Sequence, residues 1–158
     1  MSQKLVIDAC SYFFEVLVKQ FLELEMSVHK KSGLFSIFKK IDYSERAGDY
    51  KDLQILAIEA RDLLPSGELL KDNATTYTLN AKLIECYSIY INMVGVQNSI
   101  NLSLHQKAQG ENYNWNEYNL QLKHFDMLRD SLEFELPKLQ SLYAAILTKQ
   151  PDEVSKEN

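Results

Sequence analysis

A chain of 158 residues with ordinary apolar and charged fractions is long enough for one real hydrophobic core and falls in the soluble globular class. A net charge of −5 removes any global electrostatic case for nucleic acid, and five glycines with three prolines are too few for a turn-rich all-β fold. No stretch reaches the roughly 20 uncharged residues of a membrane span, and Asp8 and Glu15 interrupt the N-terminal apolar run, so neither a spanning helix nor a signal peptide is expected.

The first element is a helix from Gln3 to His29 with Ser2 as its cap. Its apolar face runs through Leu5, Ala9, Phe13, Val16, Leu17, Phe21, Leu24 and Val28 at helical spacing, and Glu15 and Lys19 are spaced for an ion pair on the other side. Ser32 and Gly33 end it. A short helix over 34–41 follows, in which Leu34, Phe35, Phe38 and Ile41 cluster while Lys30, Lys31, Lys39 and Lys40 surround them without an acid. Such a basic amphipathic segment serves either as a lid over the bundle end or as a contact for an anionic membrane surface or an acidic partner. Residues 42–48 are polar and read as a loop. Asp49 caps the next helix, which carries Leu53, Leu56, Ala57, Ala60 and Leu64 inward and is stopped by Pro65, Ser66 and Gly67. Residues 68–71 add one turn.

The stretch from Asn73 to Gln109 reads as one uninterrupted helix, about 50 Å long at 1.5 Å per residue. Two adjacent stripes, Tyr77–Ala81–Ile84–Tyr87–Ile91–Val94 and Leu79–Leu83–Cys86–Tyr90–Met93, make more than half of its circumference apolar, as for a helix flanked on several sides. Asp72 or Asn73 caps its start and Gly110 offers a left-handed stop. Beyond Val94 the first stripe turns polar through Asn98, Asn101 and His105. A short connection then returns an antiparallel helix, capped by Asn114, with Tyr118, Leu122, Phe125, Leu132, Leu136, Leu139, Tyr143 and Ile146 inward and Met127 and Leu128 broadening that face. Pro137 lies within the pattern without breaking its phase, which predicts a kink. The expected architecture is all-α: an up-down four-helix bundle over 1–149 with one additional short helix and a Pro-kinked last helix, followed by a flexible tail over 150–158.

Signatures of catalysis are missing. There is no glycine-rich phosphate loop, no nucleophile beside a base, and no Glu-x-x-His of the kind that holds metals in bundles. Cys10 and Cys86 read as buried apolar residues in a reducing, cytoplasmic setting. Arg46, Arg61 and Arg129 each neighbour an acid in sequence and read as surface ion pairs. No cofactor is expected. His29, His105 and His124 are the only candidates for a metal site, through which the chain would be a metal-binding helical-bundle enzyme. Recognition is better signalled: Tyr113, Trp115 and Tyr118 alternate with asparagines beside the Asn98–Asn101–His105 end of the long helix, and interfaces favour amphipathic aromatics and amides. The expectation is a non-enzymatic protein-binding module of the adaptor, chaperone or toxin-immunity kind, using Tyr113, Trp115, Tyr118, Asn98, Asn101 and His105. A peripheral membrane protein using the 30–41 segment is the alternative. The broad apolar faces of the first and long helices also leave a homodimer open.

Overall fold

The computed structural model describes residues 1–30 and 41–149, with side chains described for 1–27 and 41–149. The expected helix over 34–41, with Leu34, Phe35, Phe38, Lys31, Lys39 and Lys40, lies outside the described residues except for Ile41, which is not helical, and the tail and the side chains of His29 and Lys30 lie outside them too. Within them the chain is all-α, a packed bundle without a strand.

The first rod is α1 (Ser2–Tyr12), a π-helical segment (Phe13–Val18) and α2 (Lys19–Lys30), one after another. Ser2 does not cap it. The first helical bond closes from the Leu5 amide to the Met1 carbonyl, which puts Ser2 inside the first turn. The π segment has a reason in spacing. Phe13, Leu17 and Phe21 advance in steps of four, which would drift around a helix of 3.6 residues per turn; wider turns keep all three in the core. Two tyrosines of the long helix donate to carbonyls of this rod, Tyr87 to Ala9 and Tyr90 to Leu17, both at 2.8 Å. The expected ion pair between Glu15 and Lys19 does not form.

The next helix, α3 (Tyr43–Asp62), starts within the stretch read as a loop. Asp42, not Asp49, is its cap, accepting from the Glu45 amide at 3.0 Å. The correction has a packing cause. Ala47 is buried and Arg46 reaches into the bundle, so the first turn of α3 is held by tertiary contacts that outweigh Gly48. Pro65 ends the helix as expected, and a 3-10 turn, Gly67–Leu70, tucks Leu70 into the core.

Helix α4 (Ala74–Ala108) is the single long rod that its periodicity predicts. Asn73 caps it by accepting from the Thr76 amide at 3.1 Å, and Gly110 at φ +80° makes the left-handed turn after it. The Leu79–Leu83–Cys86–Tyr90–Met93 stripe is buried throughout. The other stripe is buried only from Tyr87 onward; Tyr77, Ala81 and Ile84 are exposed, because this end of α4 is covered on fewer sides. Helix α5 (Trp115–Thr148) is capped by Asn114, which accepts from the amides of Asn116 and Glu117, and it runs on through Pro137 without a fresh start. Pro137 has no amide to offer the Glu133 carbonyl, and the exposed position leaves that carbonyl to water.

The rods run up-down-up-down, and cross-bonds fix their register. Gln54 to the Ile91 carbonyl and Asn98 to the Ala47 carbonyl set α3 antiparallel to α4. Lys82 bridges to Glu135 at 2.6 Å, setting α4 antiparallel to α5, and Glu135 also meets Lys138 at 3.2 Å. A run of rings seals the first rod onto α4 and α5: Phe13 on Tyr87 at 4.9 Å, Phe21 on Tyr90 at 6.2 Å, Phe21 on Phe125 at 6.3 Å and Phe14 on Tyr143 at 6.4 Å. Cys10 and Cys86 are fully buried and unpaired among these side chains, and burial pushes both thiols up to about 12.

Candidate functional site

One end of the bundle gathers the close of α2, the start of α3, the close of α4 and the start of α5. The polar side chains there divide into an inward group and an outward group.

The inward group is centred on Arg46. Its guanidinium donates to four acceptors on three elements: Asn101 Oδ1 at 3.3 Å, the Leu24 carbonyl and Ser27 Oγ at 2.9 Å each, and the Tyr50 hydroxyl at 2.9 Å. The Tyr50 hydroxyl donates in turn to Glu25 at 2.7 Å, and Gln97 donates to the same carboxylate oxygen at 2.8 Å. Burial, with the hydrogen bond to Glu25, pushes the Tyr50 hydroxyl far above its ordinary value despite Arg46, so it remains a neutral donor between cation and carboxylate. Asn101 is buried and also donates to the Gln97 carbonyl at 2.8 Å. Only a planar fork with five donors satisfies such a set. Arg46 is therefore not the surface partner of Glu45 that its neighbour in sequence suggests. Arg61 and Arg129 do pair as expected, with Asp62 at 3.6 Å and Asp130 at 3.3 Å.

The outward group is aromatic. Tyr113 and Tyr118 each pack edge to face with Trp115, at centroid distances of 4.7 Å and 5.9 Å, and lie tilted to one another at 5.7 Å. Lys107, from the last turn of α4, lays its ammonium 4.0 Å from the Trp115 ring centre and 5.1 Å from that of Tyr113. The left-handed turn at Gly110 brings that lysine back over the start of α5. Trp115 stays 55% exposed while held in this cage. The Tyr113 hydroxyl is buried without a hydrogen-bond partner among the described residues, and burial raises its pKa.

From Lys107 the outer row of α4 runs back through Ser103, Ser99 and Gly95 to Asn92. Between Gly95 and Asn98 it floors a cleft of about 630 Å³ walled by Lys51 and Gln54 of α3 and by Gln121 and His124 of α5. The lining is amide and hydroxyl in character, and the side-chain oxygen of Gln121 is unsatisfied among the described residues.

The six residues expected to form one recognition pole are thus distributed over two environments. Tyr113, Trp115 and Tyr118 come together at the surface. Asn98 borders the cleft but spends its amide on the Ala47 carbonyl at 2.7 Å. Asn101 is inside the Arg46 network, and His105 follows one turn later on the same row, half-buried. Lys107, Gln54 and Gln121 were not foreseeable as neighbours of this surface, because each contact crosses between elements. Among the described residues no group of three or more histidines, cysteines and carboxylates is arranged to hold a metal ion; His124 lies on the outer cleft and His105 on the opposite row of α4. No described helix is long and apolar enough to cross a membrane. No protein-family model matches the chain, and neither a curated protein nor a solved structure matches it.

Proposed function

We propose that this chain is a non-enzymatic protein-binding module, of the adaptor, chaperone or immunity kind, that recognises its partner through the Lys107–Tyr113–Trp115–Tyr118 cluster. The observation that carries this reading is a half-exposed tryptophan held rigid before any partner arrives. Tyr113 and Tyr118 packed edge to face with Trp115, and one ammonium over its ring, leave Trp115 few rotamers to lose on binding, and preorganised aromatic anchors of this kind dominate interface energetics. The adjoining amide-lined cleft offers the polar contacts that surround such an anchor. Two unpaired, buried cysteines support a reducing, cytoplasmic setting for the encounter.

The test is comparative capture from native lysate with wild-type protein, Trp115→Ala and Tyr118→Ala, alongside the melting temperature of each free protein. The expected result is one stoichiometric protein retained by wild type through a salt wash and lost with Trp115→Ala, while the free variant melts within a few degrees of wild type, since exposed positions carry little stability. A partner retained equally by all three proteins would overturn the reading.

A further inference from the structure

We propose that two copies of this chain pair through the outer face of α5, antiparallel, with a two-fold axis at Met127. This surface is separate from the aromatic cluster: at 100° per residue, Trp115 lies about 140° around the helix from Leu120. Leu120, Met127 and Phe134 are 66%, 68% and 67% exposed, and they recur every seven residues. That interval advances them by only about 20° per step, so they form one row some 21 Å long, on the side of α5 opposite its buried row. Three large apolar side chains in register on one outer face are not the scattered exposure that any surface shows.

The charges beside the row identify the occupant as a second copy. A two-fold axis at Met127 sets each residue before it against the residue equally far after it on the partner. Leu120 then meets Phe134 of the partner subunit, and Met127 meets the partner's Met127. Lys123, four residues before the axis, falls beside Asp130 of the partner subunit, three residues after it and on the same flank. On the opposite flank His124 falls beside the partner's Ser131. Farther out Glu117 falls beside Lys138 of the partner subunit. The Lys123–Asp130 contact thus joins opposite signs and occurs twice, once from each chain, as a two-fold interface requires. A parallel pairing would instead set Lys123 and the partner's Asp130 on opposite flanks of the seam and about 10 Å apart along it. Within one chain Asp130 meets Arg129 at 3.3 Å, and Lys138 meets Glu135 at 3.2 Å and lies 3.8 Å from the centre of the Phe134 ring. One helix pair of this length buries less than a standard interface, so the dimer is of the weak, transient kind and calls for protein concentrations ranging from micromolar to millimolar.

Sedimentation equilibrium across that range, with cysteine crosslinking, tests the pairing. Wild type is expected to pass from monomer to dimer, and Met127→Glu to shift the dissociation constant upward at least about tenfold with an unchanged melting temperature. Lys123→Glu and Asp130→Lys should each weaken the dimer, and the double variant should restore it. Met127→Cys should form an interchain disulfide on oxidation, whereas Leu120→Cys should crosslink only when mixed with Phe134→Cys. A chain monomeric throughout the range, a dimer indifferent to Met127→Glu, or Leu120→Cys crosslinking to itself as readily as Met127→Cys would each overturn the proposal.

Discussion

Helix α5 carries two apolar rows with the same seven-residue interval and opposite surroundings. Phe125, Leu132, Leu139 and Ile146 face the bundle and are at most 6% exposed; Leu120, Met127 and Phe134 face away and are about two thirds exposed. Periodicity reports that a helix has an apolar row, and only tertiary structure reports whether the same chain covers it. The inner row is expected to hold the fold together and the outer row to contribute nothing to it. Leu139→Ala should therefore cost about 2–5 kcal/mol, the usual loss for emptying a fully buried leucine site. Met127→Ala, measured at low protein concentration, should stay within about 0.5 kcal/mol of wild type. Urea denaturation of both variants checks this, and similar losses from the two would erase the distinction between the rows.

Arginines divide in the same way. Arg46 is surrounded by acceptors from α2, α3 and α4, whereas Arg129 pairs with Asp126 and Asp130 on its own helix. Replacing Arg46 by methionine leaves Tyr50, Asn101, Ser27 and the Leu24 carbonyl without their donor and is expected to cost about 2–3 kcal/mol. Arg129→Met should cost less than about 1 kcal/mol, as exposed ion pairs do. Arg46→Lys should recover little, because one ammonium cannot reach four acceptors spread over three elements. Full recovery by lysine would show that charge, and not the planar fork, is what this end of the bundle uses.

The third contrast is between groups whose ionisation is prevented and groups free to ionise. Cys10 and Cys86 are pushed from an ordinary 9 up to about 12, mainly by burial. The unfolded chain ionises them first, so their contribution to stability is whole below pH 9 and is lost as the pH rises from 9 toward 12. A melting temperature followed through that range should fall less steeply in Cys10→Ala than in wild type. Native protein at about pH 8 should also resist thiol reagents that label it rapidly once unfolded, since the thiolate is the reactive form.

What the sequence discloses and what it withholds follow the same division. Periodicity and capping chemistry are local, and they suffice for the all-α class, the full length of α4, the caps at Asn73 and Asn114 and the stop at Pro65. Where two local signals compete, only packing chooses between them. Asp42 and Asp49 are both plausible caps, and Gly48 argues for the later one; Arg46 and Ala47, bonded to Asn101 and covered by the core, decide for the earlier. Met127 reads with Leu128 as broadening the inner face, yet one step around the helix carries it to solvent. At the candidate site the alternation of Tyr113, Trp115 and Tyr118 with asparagines was legible. Lys107 was not, since its contact crosses the Gly110 turn, and neither was the role of Asn101, whose partner lies 55 residues away.

The smallest expected effect tests how closely α3 and α4 are fitted. Gly95 sits in mid-helix, where glycine costs about 1 kcal/mol relative to alanine, and a Cβ there would lie 2.5 Å from the Gln54 side-chain nitrogen. That nitrogen donates to the Ile91 carbonyl at 3.3 Å. Gly95→Ala therefore gains helix propensity and displaces the Gln54 amide, a hydrogen bond worth about 1 kcal/mol. The two terms should cancel to within about 0.5 kcal/mol. Gln54→Ala removes the obstacle beforehand, so Gly95→Ala introduced into that variant should stabilise it by about 1 kcal/mol. A double-mutant cycle by urea denaturation measures the difference. If alanine at 95 destabilises both backgrounds equally, the backbone of α3, and not the end of Gln54, is what glycine makes room for.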